Sequence, residues 1–106
     1  MEYGYDIAVI GGGPAGYVAA IRGAQLGARV VLFEKDTVGG TCLNRGCIPT
    51  KTFLKTAEYL RHIRTAGERG IVSSAEASVD MPAVTAYKDK VVRTLTGGVA
   101  SLLRAN

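Results

Sequence analysis

The sequence contains no tryptophan, three prolines, two cysteines and a single histidine. Two cysteines are too few for the disulfide framework of a small secreted domain. No apolar run approaches the ~20 residues that a membrane-spanning helix needs, and residues 1–6 lack the basic and apolar segments of a secretory signal. We therefore expect a cytoplasmic protein without a membrane segment.

Neither sign of charge is concentrated in one stretch of the chain. Residues 1–50 carry four basic and four acidic side chains, so the formal net charge of +4 lies entirely in residues 51–106. The basic residues there occur singly, which is typical of solvated helix surfaces, and no nucleic-acid partner is predicted. The length of 106 residues corresponds to one small domain, and a chain that is 47% hydrophobic and 21% charged is typically globular.

The first third of the chain has the pattern of a β-α-β unit. Residues 6–10 form a short apolar run typical of a buried parallel strand, and residues 30–34 repeat that pattern. Between them, apolar residues recur at helical spacing, with Pro14 near the start and Gly27 just after the end. The predicted fold class is α/β, with a Rossmann-type unit followed by helices. Two strands give an incomplete doubly wound parallel sheet, so we expect these residues to belong to a larger protein or to associate.

Two further helices are predicted in the second half of the chain. A helical stripe of apolar residues begins at Lys51 and ends near residues 67–70, and residues 73–79 have the composition of a loop. Asp80 precedes the last helix as a candidate N-cap. The glycine pair at 97–98 lies inside that helix, where each glycine costs roughly 0.5–1 kcal/mol relative to alanine. We interpret the pair as a break or kink, with the close approach of another element as the alternative.

Gly11, Gly13 and Gly16 form a GxGxxG motif between the first strand and the first helix. In such a motif the first glycine permits a tight turn, the second lets the backbone approach a pyrophosphate, and the third lets the helix pack closely on the strand. The anion then lies on free N–H groups at the positive end of the helix dipole. Glu34 ends the second strand, 18 residues beyond Gly16, where a carboxylate can bind a ribose diol. The motif predicts a dinucleotide site and leaves FAD and NAD both open.

Cys42 and Cys47 are separated by four residues. In a regular α-helix their Cα atoms would lie ~8.7 Å apart, whereas a disulfide requires ~4.4–6.8 Å. Gly46 and Pro49 can interrupt a helix, so the sequence contains the breakers that a bridge requires. Three interpretations remain open: a redox disulfide, a pair of buried structural thiols, and a zinc site. Zinc is the least favoured, because the only histidine, His62, is far from a ligand-like spacing and is interpreted as a surface residue.

Residues 39–51, together with the glycine motif and the acid at position 34, resemble the active-site signature of FAD-dependent pyridine nucleotide–disulfide oxidoreductases. Leu43, Asn44 and Ile48 are most similar to the dihydrolipoamide dehydrogenase branch of that family, whereas glutathione and mercuric reductases usually carry valine at positions 43 and 48. Thr50 stands where the family usually has serine, and it keeps the hydroxyl. The strong match covers residues 6–51.

The resemblance implies an FAD site beside a redox disulfide, and no metal site is predicted. Cys42 would be the thiol that exchanges with lipoamide sulfur, and Cys47 would lie against the flavin and pass electrons to it. The cofactor-binding residues that the resemblance implies are Gly11, Gly13, Ala15 and Gly16 at the pyrophosphate, Glu34 with its neighbour Lys35 at the adenosine ribose, and Gly40, Thr41, Cys42 and Lys51 further along, with Lys51 near the flavin ring.

The implied activity is the oxidation of dihydrolipoamide through the two cysteines and FAD, with NAD as the acceptor. The implied partners are a second copy in a homodimer and a lipoyl-bearing protein of a 2-oxo-acid dehydrogenase or glycine cleavage complex. The family's catalytic His–Glu pair, nicotinamide-binding domain and dimerisation domain have no counterpart in residues 1–106. We therefore expect these residues to be the N-terminal part of an FAD-binding domain and to be inactive alone. The alternatives are a glutathione- or mercuric-reductase-like flavoenzyme and a non-enzymatic nucleotide-binding or thiol redox module.

Overall fold

The computed structural model describes residues 3–72 and 76–106. Its regular elements are, in chain order, β1 (Ile7–Ile10), α1 (Pro14–Gln25), β2 (Val30–Phe33), α2 (Gly40–Arg45), α3 (Cys47–Thr65), a short 3-10 helix (Ala66–Arg69) and α4 (Met81–Ala105). Of the loop predicted at 73–79, residues 73–75 lie outside the described residues, and residues 76–79 form no regular element. Within the described residues, no helix combines the length and the hydropathy that a membrane span requires.

The first three elements form the predicted β-α-β unit. β1 and β2 pair in parallel, with Ile7 opposite Val30, and α1 packs against both strands. The two strands are tied together where they begin: the Asp6 N–H donates to the Arg29 carbonyl over 2.8 Å, and the Asp6 carboxylate accepts the Arg29 guanidinium over 2.9 Å. α1 has its proline in the first turn, and Gly27 follows it at φ +93°. Proline at the start and glycine after the end are therefore placed as predicted.

In the described residues the two strands are exposed or half-buried, as expected for a parallel pair without the rest of its sheet. Ile10 is 91% exposed and Phe33 is 58% exposed. The sheet has two strands, so α1 covers part of one face while the outer edges remain open. Continuous apolar strands of this kind are typical of sheets that are covered on both faces.

α3 and α4 pack against each other, and α4 also contacts α1 and α2. Thr52 of α3 and Thr96 of α4 are buried, and each hydroxyl donates to the carbonyl four residues earlier, over 2.8 and 2.9 Å. Neither buried hydroxyl is therefore left without a hydrogen bond. α4 begins as predicted, because the Asp80 carboxylate accepts the Ala83 N–H over 3.0 Å.

The break predicted at residues 97–98 is wrong, because α4 runs without interruption through both glycines, and the kink stays a prediction. A Cβ built on either glycine would meet nothing within 4 Å, so no other described element comes close there. The molecule is long and thin, with extents of 73 × 25 × 18 Å and a radius of gyration of 20.2 Å. A compact domain of this length would have a radius of gyration of ~13 Å. The buried apolar side chains of the described residues are accordingly few: Ala20, Leu43 and Val99.

Candidate functional site

The glycine motif forms the turn between β1 and α1. Gly11 has φ +100°, a conformation that side chains rarely adopt. A Cβ on Gly16 would overlap the Gly11 carbonyl oxygen, so α1 can approach the turn only with glycine at that position. Gly13 caps the helix, and the first intrahelical bond runs from the Tyr17 N–H to the Gly13 carbonyl over 2.9 Å. The N–H groups of Gly13, Ala15 and Gly16 precede that bond, so they lie at the positive end of the helix with no acceptor within it.

Glu34 lies just past β2 and reaches back to the glycine turn. One carboxylate oxygen accepts the Gly12 N–H over 2.7 Å, and the other accepts the Asp36 N–H over 2.9 Å. The Gly12 hydrogen bond, and then the Asp36 hydrogen bond, lower the pKa of this carboxyl below its ordinary value. The group is therefore an ionised acceptor at neutral pH, with lone pairs left for hydroxyl donors. The neighbouring Lys35 is exposed.

A second glycine turn brings α2 against the first. Gly39 and Gly40 both have positive φ, at +105° and +60°. The Gly39 N–H donates to the Gly12 carbonyl over 2.7 Å, and a Cβ on Gly40 would lie 2.7 Å from the Gly13 Cα. The two backbones are thus in contact at a point where no side chain fits. Thr41 follows in the first turn of α2, with its side chain exposed.

Cys42 and Cys47 form a disulfide. Their Cα atoms lie 4.6 Å apart, within the range that such a bond requires. The helix is interrupted between them at Gly46, which has φ −122° and ψ −104° and separates α2 from α3. A Cβ on Gly46 would lie 3.1 Å from the Thr41 carbonyl oxygen, so glycine lets the chain fold back closely here. The prediction that uniform helix cannot join the two cysteines is confirmed.

The disulfide fits the redox interpretation of the cysteine pair. Both sulfurs are bonded to each other, which excludes a pair of free structural thiols in this state. Among the described residues, no three histidine, cysteine, aspartate or glutamate side chains are grouped as a metal site. Cys42 is half-buried and Cys47 is exposed. Which sulfur meets a substrate and which meets a cofactor stays a prediction.

Lys51 lies on the exposed surface of α3, one helical turn after Cys47 and therefore on the same side of the helix. It borders a groove between α3 and α4 that Tyr87 also lines. His62 is near the other end of α3, 58% exposed, with its Nε2 atom 3.9 Å from the Glu58 carboxylate. It is a surface residue in the structure, as the sequence predicts.

Sequence reasoning missed two contacts that hold α2 in place. The Asn44 side-chain amide donates to the carbonyls of Gly40 and Val38, over 2.9 and 3.3 Å. The Arg45 guanidinium lies 2.7 Å from the Asp36 carboxylate, and this contact lowers the pKa of that carboxyl. Both residues lie between the two cysteines in the sequence. Asn44 is distinguished there only by its position in the family signature, and no sequence signal identifies the contact of Arg45.

The fold and the site together define a nucleotide-binding β-α-β unit joined directly to a disulfide. Its residues fit a dinucleotide cofactor, because a backbone cradle free of side chains adjoins both a helix N-terminus and an ionised carboxylate. Residues 5–106 match the model of a family described as pyridine nucleotide-disulphide oxidoreductase, and the chain belongs to that family. The α/β class and the family resemblance predicted from residues 6–51 are both confirmed.

Curated relatives of the chain are similar along its whole length. It is 51% identical to the dihydrolipoyl dehydrogenase of Acholeplasma laidlawii, covering all of this chain and 32% of that protein. It is 52% identical to the dihydrolipoyl dehydrogenase of Thermus scotoductus, covering 96% of this chain and 22% of that protein. The chain thus spans between about a fifth and a third of the length of these relatives.

A solved structure shares the fold. The flavoprotein disulfide reductase RclA of Escherichia coli, an HOCl-induced protein solved as a Cu(II) complex, superposes with a TM-score of 0.73 at 30% identity. The match covers 94% of this chain and 19% of that one. The described helices and the two-stranded parallel sheet are therefore part of a flavoprotein disulfide reductase fold.

Proposed function

We propose that the chain is the N-terminal part of the FAD-binding domain of an enzyme that oxidises dihydrolipoamide, with NAD as the final electron acceptor. The observation that carries the proposal is the backbone contact between Gly13 and Gly40. It joins the helix that carries Cys42 to the turn whose N–H groups suit a pyrophosphate. The disulfide would thus lie next to the proposed dinucleotide site. The names of the relatives at 51% and 52% identity support dihydrolipoamide as the substrate.

The residues that would hold FAD follow from the two turns. The pyrophosphate would lie on the free N–H groups of Gly13, Ala15 and Gly16 at the α1 start. Gly11 would shape the turn beneath it, since its own N–H donates to the Phe33 carbonyl over 2.7 Å. Glu34, with Lys35 beside it, would accept the adenosine ribose hydroxyls, and Gly40, Thr41, Cys42 and Lys51 would contact the cofactor toward the flavin ring. Bound FAD supplies the two-electron chemistry that carries hydride to NAD, which no side chain performs alone.

The two cysteines would carry the first half of the reaction by thiol–disulfide exchange. A dihydrolipoamide thiolate attacks the Cys42 sulfur, the Cys42–Cys47 bond breaks, and Cys47 leaves as a thiolate. The second substrate thiolate then attacks the mixed disulfide, so lipoamide departs as a disulfide and Cys42 is reduced. Two electrons have then passed from the substrate to the cysteine pair. Cys47 is the first residue of α3, and the positive end of a helix stabilises a thiolate there once the bond is broken.

The location and partners belong to the same proposal. They are a cytoplasmic setting, a homodimer, and a lipoyl-bearing protein of a 2-oxo-acid dehydrogenase or glycine cleavage complex. Their support is the resemblance of residues 39–51 to the dihydrolipoamide dehydrogenase branch.

The test is a dihydrolipoamide–NAD assay on the full protein that contains this chain, comparing the natural sequence with Cys47→Ser. We expect the variant to lose turnover, because a serine hydroxyl cannot form the disulfide. His62→Ala is the matched control, since its exposed side chain takes no part in the site, and it should retain turnover. Equal activity in the natural protein and Cys47→Ser would contradict the proposal. Reduction of glutathione disulfide or Hg(II) in place of lipoamide turnover would instead support the reductase-like alternative.

A further inference from the structure

We propose that Asn44 is a positioning residue whose side-chain amide holds the turn at residues 37–40 in shape, and thereby keeps the redox disulfide against the nucleotide-binding turn. The inference rests on the proposed function, since it assigns Asn44 a role toward the same site. It concerns hydrogen bonds that the Asn44 amide donates, and not the volume of its side chain.

The contacts of the Asn44 amide converge on one turn. Its Nδ2 atom lies 2.9 Å from the Gly40 carbonyl oxygen, 3.3 Å from that of Val38, and 3.5 Å from that of Thr37. An amide nitrogen carries two hydrogens, so the two shorter contacts account for its donors. Asn44 is half-buried, and hydrogen bonds at such a site are less exposed to competition from water.

The turn at residues 37–40 depends on hydrogen bonds to residues outside it. Gly39 and Gly40 both adopt left-handed conformations, and neither has a side chain that packs. Glycine loses more conformational freedom on folding than any other residue. A turn with two glycines in succession is therefore weakly stabilised by its own backbone. Asn44 lies one helical turn after Gly40 on α2, which is the position from which a short side chain reaches back to this backbone.

Both halves of the site depend on this turn. Gly39 donates to the Gly12 carbonyl over 2.7 Å, and Gly40 contacts the Gly13 backbone, so the turn sets where α2 meets the nucleotide-binding turn. Cys42 lies two residues before Asn44 on the same short helix. A turn that loosens therefore displaces the N–H groups offered to FAD and the Cys42 sulfur together.

The adjacent contact on α2 provides a matched control. The Arg45–Asp36 ion pair also ties α2 to the segment after β2, but its side chains are 71% and 53% exposed. Exposed ion pairs contribute little, because water and salt screen them. Arg45→Ala therefore removes a neighbouring link from the same helix without touching the turn carbonyls.

The decisive substitution is Asn44→Asp, which keeps size and shape and replaces the donating amide with a carboxylate. At pH 8 that carboxylate faces three carbonyl oxygens. We expect the FAD dissociation constant, measured by flavin fluorescence on the full protein, to rise about tenfold or more, which corresponds to the loss of one to two hydrogen bonds. Asn44→Ala removes the same donors without adding a charge, so its FAD dissociation constant should rise in the same direction. Asp36 and Arg45, the charged residues on the adjoining segments, are common to both proteins.

A second measurement does not require FAD. The equilibrium between the Cys42–Cys47 disulfide and its dithiol is measured in dithiothreitol redox buffers, with alkylation of the free thiols. A looser turn holds the two sulfurs together less well, so reduction should become about threefold to tenfold more favourable in Asn44→Asp and in Asn44→Ala. Arg45→Ala should leave this equilibrium unchanged. If Asn44→Asp does not fold, Asn44→Ala, which adds no charge, decides by the same comparison.

The outcomes separate the inference from the proposed function. Natural protein that binds FAD, with Asn44→Asp and Asn44→Ala as tight as Arg45→Ala, overturns the role of Asn44. A defect in Asn44→Asp with none in Asn44→Ala overturns the role of hydrogen-bond donation, because the added charge alone would then account for it. Natural protein that fails to bind FAD contradicts the proposed function instead, and the disulfide equilibrium of the Asn44 variants then supports or overturns the positioning role by itself.

Discussion

Gly13 and Gly40 meet backbone to backbone: a Cβ on Gly40 would lie 2.7 Å from the Gly13 Cα. One glycine caps α1 and the other begins α2, so this contact joins the two helix starts. It also explains why two glycine turns far apart in the chain occur in one site. Each removes a Cβ from the same junction.

We expect Gly40→Ala to destabilise the protein by about 2 kcal/mol or more, because alanine at φ +60° is strained and its Cβ overlaps Gly13. FAD affinity should fall as well, since the N–H groups of the adjoining helix start are displaced. The measurements are urea unfolding and FAD binding. Unfolding and binding like those of the natural sequence would show that the junction tolerates a side chain.

Gly97→Ala on α4 is the opposite case. The residue lies in a continuous helix, and an added Cβ would meet nothing within 4 Å. We expect the free energy of unfolding to rise by roughly 0.5–1 kcal/mol, because alanine loses less backbone freedom than glycine in a helix interior. Urea unfolding measures the change. A decrease would mean that another part of the full protein occupies the space beside this glycine.

The ion pair at the strand starts predicts how stability depends on pH. Hydrogen bonds from Arg29 lower the pKa of Asp6 from 3.8 to about 2. A lowered pKa means that the carboxylate stabilises the fold fully above the unfolded value of 3.8, and that this stabilisation is lost as the pH falls through about 2. The difference in unfolding free energy between the natural sequence and Asp6→Asn should therefore shrink as the pH falls through this range. A difference that stays constant would contradict the pairing.

The exposed apolar side chains predict self-association of the 106-residue chain. Ile10 and Phe33, at the carboxyl ends of the two strands, are 91% and 58% exposed, and Leu54 of α3 is 63% exposed. Contiguous apolar surface and open strand edges both favour association. Light scattering across a concentration series should show a mass that rises with concentration. A constant monomer mass would contradict this expectation.

The local patterns of the sequence were sufficient for the β-α-β unit and for the break at Gly46 between the two cysteines, but not for the start of α3. Pro14, Gly27 and Gly46 each act through their own backbone, so their effects are readable without the fold. The helix predicted from Lys51 begins at Cys47 instead, because Pro49 lies in the first turn, where its missing N–H costs nothing. Asn44 is different in kind. Its partners are carbonyls of a turn whose shape depends on contacts with Gly12 and Gly13, so no spacing rule identifies it.

The 73 Å length of the molecule has a thermodynamic consequence. A thin body leaves much of its apolar surface in water even when folded, so unfolding hydrates less new surface than it does for a rounded domain. The heat-capacity increment per residue should accordingly fall below the ~12–15 cal/mol/K of ordinary globular domains, and the stability curve should be flatter with temperature. Whatever covers these helices and strand edges in the full protein would restore the ordinary curvature, so calorimetry measures how much of the fold is completed from outside these residues.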